Sequence, residues 1–196
     1  MNKIYIYGAS GHGLVVADIA LSCGYKEIEF IDDDTKKGYK TFDDIKKNTQ
    51  YPIAFGIGDN HIRKILYQKV KKQGFALPTL IHPSAIISSS VIIGEGTVVM
   101  PNVVVNTRAN IGKAVILNSS CVIEHECIIG DFVHISPKVA IAGDVKVGDL
   151  THIGIGSSVI QCLHIGKESI IGAGSVVVNN IADFKKAYGN PCKERL

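Results

Sequence analysis

The chain has 196 residues, a formal net charge of +3 and 46% hydrophobic residues, enough for one or two domains with a real core. That near-neutral balance points to neither a nucleic-acid nor a membrane surface, and no apolar run approaches the length of a membrane span. Met1–Lys3 leads straight into a strand pattern, so no signal peptide is expected, and five cysteines, an odd number, fit reduced thiols in the cytosol.

Lys3–Tyr7 (KIYIY) reads as a strand, followed by the glycine-rich Gly8–Gly13 (GASGHG) and an apolar helical run from Leu14 to Cys23. Ile28–Ile31 is a second strand that ends in Asp32, Asp33 and Asp34. A short polar helix near Thr41–Lys47 leads to a third strand, Pro52–Ile57, and then to Gly58, Asp59 and Asn60. In His61–Gln73, the residues Ile62, Ile65, Leu66, Lys69 and Val70 recur at helical spacing, so that face is expected to pack down. Strand–helix–strand–helix–strand is one mononucleotide-binding half of a doubly wound fold. Residues 1–78 are therefore expected to form an α/β half-Rossmann (βαβαβ) domain.

From Ile81 to Val177 the pattern changes. Every sixth residue is Ile, Leu or Val, seventeen times without exception. Four residues further on stands something small or β-branched in most hexads, as at Thr97, Ala109, Cys121, Cys127, Thr151 and Ser169. Gly94, Gly112, Gly130, Gly148 and Gly166 repeat every eighteen residues, or three hexads. Hexads with one special corner in three describe a triangular parallel β-helix, in which residues eighteen apart stack at about 4.8 Å. Neither an α-helix nor a hairpin sheet has an unbroken period of six. Residues 79–196 are expected to form this all-β domain, with Asn179–Leu196 as a polar tail.

Three constellations carry chemistry. Gly8, Gly11 and Gly13 lie between a strand and a helix, where backbone N–H groups and the helix N-terminus favour phosphate, although the spacing is not the dinucleotide fingerprint. Asp32, at the tip of the second strand, adds a carboxylate able to hold a sugar hydroxyl, so a mononucleotide or nucleotide sugar is expected. His125 breaks an otherwise small or polar column and is flanked by Glu124 and Glu126; a carboxylate on one ring nitrogen suits a general base. Strand alternation does not choose between the two glutamates near a corner. Gly143, eighteen residues on, leaves space beside the imidazole and an accessible N–H for an oxyanion. His134 and His152 share one column and His164 another, with no spacing that suggests zinc, so no metal is expected.

The glycine loop, the hexads and Glu124–Glu126 together resemble, over the full length, bacterial sugar acetyltransferases of the left-handed β-helix class. The resemblance is closest to the UDP-N-acetylbacillosamine-pathway N-acetyltransferases, which act on UDP-4-amino sugars. It implies left-handed coils, a homotrimer, and acetyl-coenzyme A as donor; a cytoplasmic location without nucleic-acid or membrane partners is expected from the charge and the cysteines. The implied acceptor is the 4-amino group of a UDP-4-amino-4,6-dideoxy-N-acetyl-hexosamine. By matching motif, His125 would be the base and Glu126 its tuning residue. Ser10, Gly11, His12, Asp32, Asp33 and Gly58 would hold the nucleotide sugar. His134, Gly143, Ile155 and Ala173 would line the coenzyme cleft, Ala173 standing where the family tends to carry glycine. Two rival readings are a sialic acid or other sugar O-acetyltransferase using the same base, and a non-catalytic trimeric scaffold that binds a nucleotide sugar.

Overall fold

The computed structural model describes residues 2–195, so positions 1 and 196 of the two expected segments lie outside the described residues. The first part contains β1 (Lys3–Tyr7), α1 (Gly11–Ser22), β2 (Glu27–Ile31), α2 (Phe42–Ile45), β3 (Ile53–Phe55) and α3 (Asn60–Lys72). Its three strands form a parallel sheet in the order β2-β1-β3. Ile4, Ile6, Ile53 and Phe55 are buried in it, as strands covered on both faces require.

Seventeen two-residue strands follow, from Leu80–Ile81 to Val176–Val177, and make three parallel sheets. Partners are eighteen residues apart throughout, as in Ile116 with His134 and His134 with His152. The result is a left-handed parallel β-helix of triangular section. The hexad aliphatics point inward: Val99, Val105, Leu117, Ile123 and Ile135 are all fully buried. Cys121, Cys127, Thr151 and Ser169 fill the corners beneath them and are fully buried too. Most corners are turned by a residue with positive φ, such as Arg108 (60°), Glu126 (63°) or Asp144 (55°). Non-glycine residues adopt this region at a cost of about 1 kcal/mol or more, which the inter-coil hydrogen bonds offset. Glu126 N–H, for instance, donates to the carbonyl of Thr107 at 3.0 Å.

Two expectations need correction. The face that α3 buries is Asn60, Arg63, Tyr67 and Val70, whereas Ile62 and Ile65 stand 50% and 62% exposed. The reason is Arg63. Its guanidinium, 1% exposed, donates to the carbonyls of Ala114 (2.8 Å), Phe132 (2.8 Å), Ile57 (3.0 Å) and Gly58 (3.1 Å) and to Asn60 Oδ1 (2.9 Å). The Asn60 amide reaches the Leu150 carbonyl at 2.9 Å. Polar side chains therefore dock α3 onto the coil corners, where an aliphatic face would leave those carbonyls unpaired.

The polar tail is structured as well. Lys186–Tyr188 extends the first sheet beside Ile170–Ile171, and Lys193–Arg195 pairs back antiparallel to it. Here the offset falls from eighteen to sixteen, Ile171 pairing with Ala187, so a hexad count loses the strand. Ile181 and Ala187 still take buried positions.

Candidate active site

The glycine loop is built by close approach of backbone. A side chain at Gly13 would collide with the Gly8 carbonyl, so strand β1 and helix α1 can meet at this turn only with glycine there. Ser10 takes the N-cap position with extended backbone and no side-chain bond to the helix, and at Gly11 an added Cβ would meet nothing within 4 Å. The first turn of α1 is thus open toward solvent, with its N–H groups available to an anion. Asp32, 9% exposed, holds the loop: Oδ2 accepts from Ala9 N–H at 3.0 Å and from Lys37 at 2.7 Å, and Oδ1 accepts from Asp34 N–H. Burial alone would raise the Asp32 pKa, but Lys37 and these two N–H groups more than offset it and the pKa is lowered. Asp33 is turned back into the fold, bonded to Tyr7 Oη (2.6 Å), Lys69 (2.9 Å) and Phe42 N–H (2.9 Å).

Next to this loop lies a short stack of imidazoles on the first sheet. His134 and His152 are parallel, 4.6 Å between centroids, and His12 packs 6.3 Å from His134. Burial, then the neighbouring His152 and Arg63, push the His134 pKa down to about 3; burial and Arg63 push that of His12 down to about 4. Both rings are neutral at pH 7. Asn118 Oδ1 accepts from Ser119 N–H at 2.8 Å, so the Asn118 amide nitrogen is the group facing His134 Nε2 at 3.2 Å. That leaves the His134 proton on Nδ1, close to the Gly58 backbone; neither His134 Nδ1 nor His12 Nε2, both buried, has a hydrogen-bond partner among the described residues. Gly58, with Asp59, His61 and His152, also lines a small cavity of about 130 Å³.

His125 occupies a different place, the corner between the second and third sheets. Its Nδ1 is 3.1 Å from Glu126 Oε2, and Glu126 Oε1 is 3.3 Å from Arg108. The positive φ of Glu126 swings its side chain to the histidine's side, which plain strand alternation does not anticipate. A carboxylate acceptor on Nδ1 leaves Nε2 as the basic nitrogen. Gly143 stacks above the ring: a Cβ there would lie 2.5 Å from both Nε2 and Cε1. Its carbonyl accepts from Cys162 N–H at 3.0 Å, while its own N–H has no partner among the described residues. Arg108 went unnoticed in the sequence, although the period of eighteen puts it directly under Glu126.

The expected site residues therefore fall into separate groups within one chain. Ser10, Gly11, His12, Asp32, Gly58 and His134 cluster where the α/β part covers the first sheet. His125, Glu126 and Gly143 lie on the corner across the prism from that sheet. Ile155 and Ala173 stack one coil apart on the corner between the first and second sheets. Among the described residues no group of three His, Cys, Asp or Glu side chains could hold a metal ion. A cavity of about 630 Å³, lined by Cys23, Tyr25, Pro52, Leu77 and Glu95, contains none of these residues.

Comparison with known proteins supplies the context. Residues 3–70 match the family described as the PglD N-terminal domain. A UDP-N-acetylbacillosamine N-acetyltransferase of Bacillus subtilis (strain 168) is 35% identical over 113 residues, which span 50% of this chain and 51% of that relative. The acetyltransferase domain of PglB from Neisseria gonorrhoeae FA1090 is 36% identical over 100% of both chains, with a TM-score of 0.92, and has also been solved with acetyl coenzyme A. A histidine-to-alanine mutant of GDP-perosamine N-acetyl transferase from Caulobacter crescentus, in complex with CoA and GDP-perosamine, aligns with a TM-score of 0.95 at 34% identity, covering 100% of this chain and 98% of that one.

Proposed function

Because the chain belongs to the sugar N-acetyltransferases of the hexapeptide-repeat class, we propose that it moves the acetyl group of acetyl-coenzyme A onto the 4-amino group of a nucleotide-linked 4-amino-6-deoxy sugar. The UDP-linked N-acetyl-hexosamine is the leading acceptor, in line with the Bacillus relative; a GDP-linked sugar is the alternative, in line with the Caulobacter one. The observation that carries the proposal is the His125–Gly143 pair, an imidazole with a free Nε2 packed where a side chain at 143 would stand, next to a residue whose N–H has no partner among the described residues.

In this reading the sugar amine attacks the thioester carbonyl while Nε2 of His125 takes its proton. Glu126 holds the ring in the productive tautomer and stabilises the imidazolium; Arg108 holds Glu126. The N–H of Gly143 donates to the oxyanion, and collapse of that intermediate expels the coenzyme thiol, protonated by the imidazolium. General-base help of this kind is worth about 10²–10⁴ in rate.

The sugar-binding loop and His125 lie on opposite sides of one prism, so the site is completed between copies, the His125 corner of one facing the first sheet of the next. Ile86, Ile92 and Ile128, on the two faces that meet at the His125 corner, are exposed and support association there. A closed trimer gives three equivalent sites.

The test is thiol release from acetyl-coenzyme A across a panel of UDP- and GDP-linked amino and hydroxy sugars, with His125→Ala alongside. Release only with 4-amino sugars, cut at least a hundredfold in the variant, is expected. Release with sialic acid alone would favour O-acetylation, and tight sugar binding without thiol release would leave a scaffold.

A further inference from the structure

Arg108 carries more donors than its one ion pair uses. It turns the coil directly beneath Glu126, at φ 60°, and its backbone N–H donates to Ser90 Oγ at 2.9 Å, so the root of the side chain is fixed. The guanidinium gives one nitrogen to Glu126 Oε1 at 3.3 Å, and among the described residues its side chain has no other hydrogen-bond or ion-pair partner. That side chain is 71% exposed. An exposed pair of this kind is worth on the order of 0–1 kcal/mol, so stability gives little reason for an arginine here. Most of its planar fork of N–H groups is left for something outside the chain. Glu126 also accepts from the His125 ring at 3.1 Å, which puts the cation one carboxylate away from the base.

The other half of the site lacks what Arg108 offers. A sugar nucleotide carries an ionised oxygen on each phosphorus of its diphosphate. The glycine loop meets it with the first N–H groups of α1, equivalent to about half a positive charge. The cations beside the loop are engaged: Lys37 with Asp32 at 2.7 Å, Lys69 with Asp33 at 2.9 Å, and Arg63 buried on carbonyls. The nearby imidazoles of His12 and His134 are neutral. Gly143 opens the space above His125 for the thioester, and Arg108 rises from the coil below, the side left for the acceptor. A sugar that presents its 4-amino group to Nε2 has its diphosphate at the opposite end of one pyranose ring, within reach of an arginine side chain. We infer that Arg108 is a substrate-binding residue acting across the interface, its free N–H groups taking the diphosphate of the sugar nucleotide seated in the neighbouring copy's glycine loop. This rests on the acetyl-transfer reading and its shared site, and it holds for UDP- and GDP-linked acceptors alike because both carry the diphosphate.

Titration calorimetry on the assembled protein, comparing UDP with UMP and GDP with GMP, tests it without turnover. In the series that binds wild-type protein, the diphosphate is expected to bind about tenfold more tightly than the monophosphate. Arg108→Asn, whose side chain suits a positive φ, should lose most of that preference at an unchanged melting temperature and raise the acceptor KM about tenfold. Arg108→Lys, which keeps the charge but not the fork, should retain part of it. A preference that survives Arg108→Asn, with only kcat reduced, would show that Arg108 acts through Glu126 alone and overturns the assignment. Failure of all four nucleotides to bind overturns it too. An Arg108-dependent preference in a protein that transfers no acetyl group to any sugar would instead sink the catalytic reading and leave the diphosphate contact standing.

Discussion

Gly143→Ala adds a single methyl group at the point where sequence and structure agree most closely. That carbon would lie 2.5 Å from Nε2 and Cε1 of His125, about 1 Å short of ordinary contact, so the ring has to move by about that much. Swinging it away stretches the 3.1 Å bond from Nδ1 to Glu126 and carries Nε2 off the line of attack. A misplacement of about 1 Å costs on the order of a hundredfold in rate. The methyl does not block folding: residue 143 has no positive φ, and the imidazole it meets is a half-exposed side-chain end. Turnover with acetyl-coenzyme A should thus fall about a hundredfold, while the melting temperature moves by no more than about 2 °C. Turnover within twofold of wild type would show that the ring position does not matter, and the base assignment would have to go.

Asp32→Ala frees the Ala9 N–H and Lys37, so the glycine loop loosens; the acceptor KM should rise at least tenfold with little change for acetyl-coenzyme A, and equal losses for both would limit the first 78 residues to a supporting role. Arg63→Ala leaves several buried carbonyls unpaired and should cost about 3–5 kcal/mol in chemical denaturation; a cost under about 1 kcal/mol would mean water replaces the guanidinium freely. Acid should expose the buried imidazoles. His134 and His12 are held below their ordinary pKa, so the unfolded chain binds more protons than the folded one between the folded values of about 3 and about 4 and the free value near 6.5. Stability is then complete above about pH 6.5 and falls with pH by up to about 1.4 kcal/mol per unit for each ring. His134→Gln should flatten that fall in denaturant titrations at pH 7 and pH 5, and an unchanged slope would contradict the burial argument.

The β-helix is legible in the sequence because its inward positions admit only aliphatics and recur without a break. The same arithmetic puts Gly143 over His125 and Arg108 under Glu126. What arithmetic misses is local. The choice between Glu124 and Glu126 depends on the left-handed backbone of residue 126, a corner property with no sequence mark. Periodicity points to the wrong face of α3 because a cation satisfied by carbonyls replaces the aliphatics it looks for. A hexad count does not reach Lys186–Tyr188 because the preceding coil is two residues short. The resemblance groups His134 with Gly143, but the fold sets them on different sides of the prism within one chain, and the proposed function joins them through a neighbouring copy.

That last point gives the most direct measurement. His125→Ala removes the base from one part of the site; Gly11→Trp fills the open loop, where nothing lies within 4 Å of an added Cβ, and removes the other. Each variant alone should be inactive. Co-expressed with different tags and purified as mixed trimers, they should regain about a third of the wild-type rate of acetyl transfer, since every mixed closed trimer has one site of three that pairs an intact loop with a neighbour's intact His125. Activity no higher than that of either parent would contradict a site shared between copies.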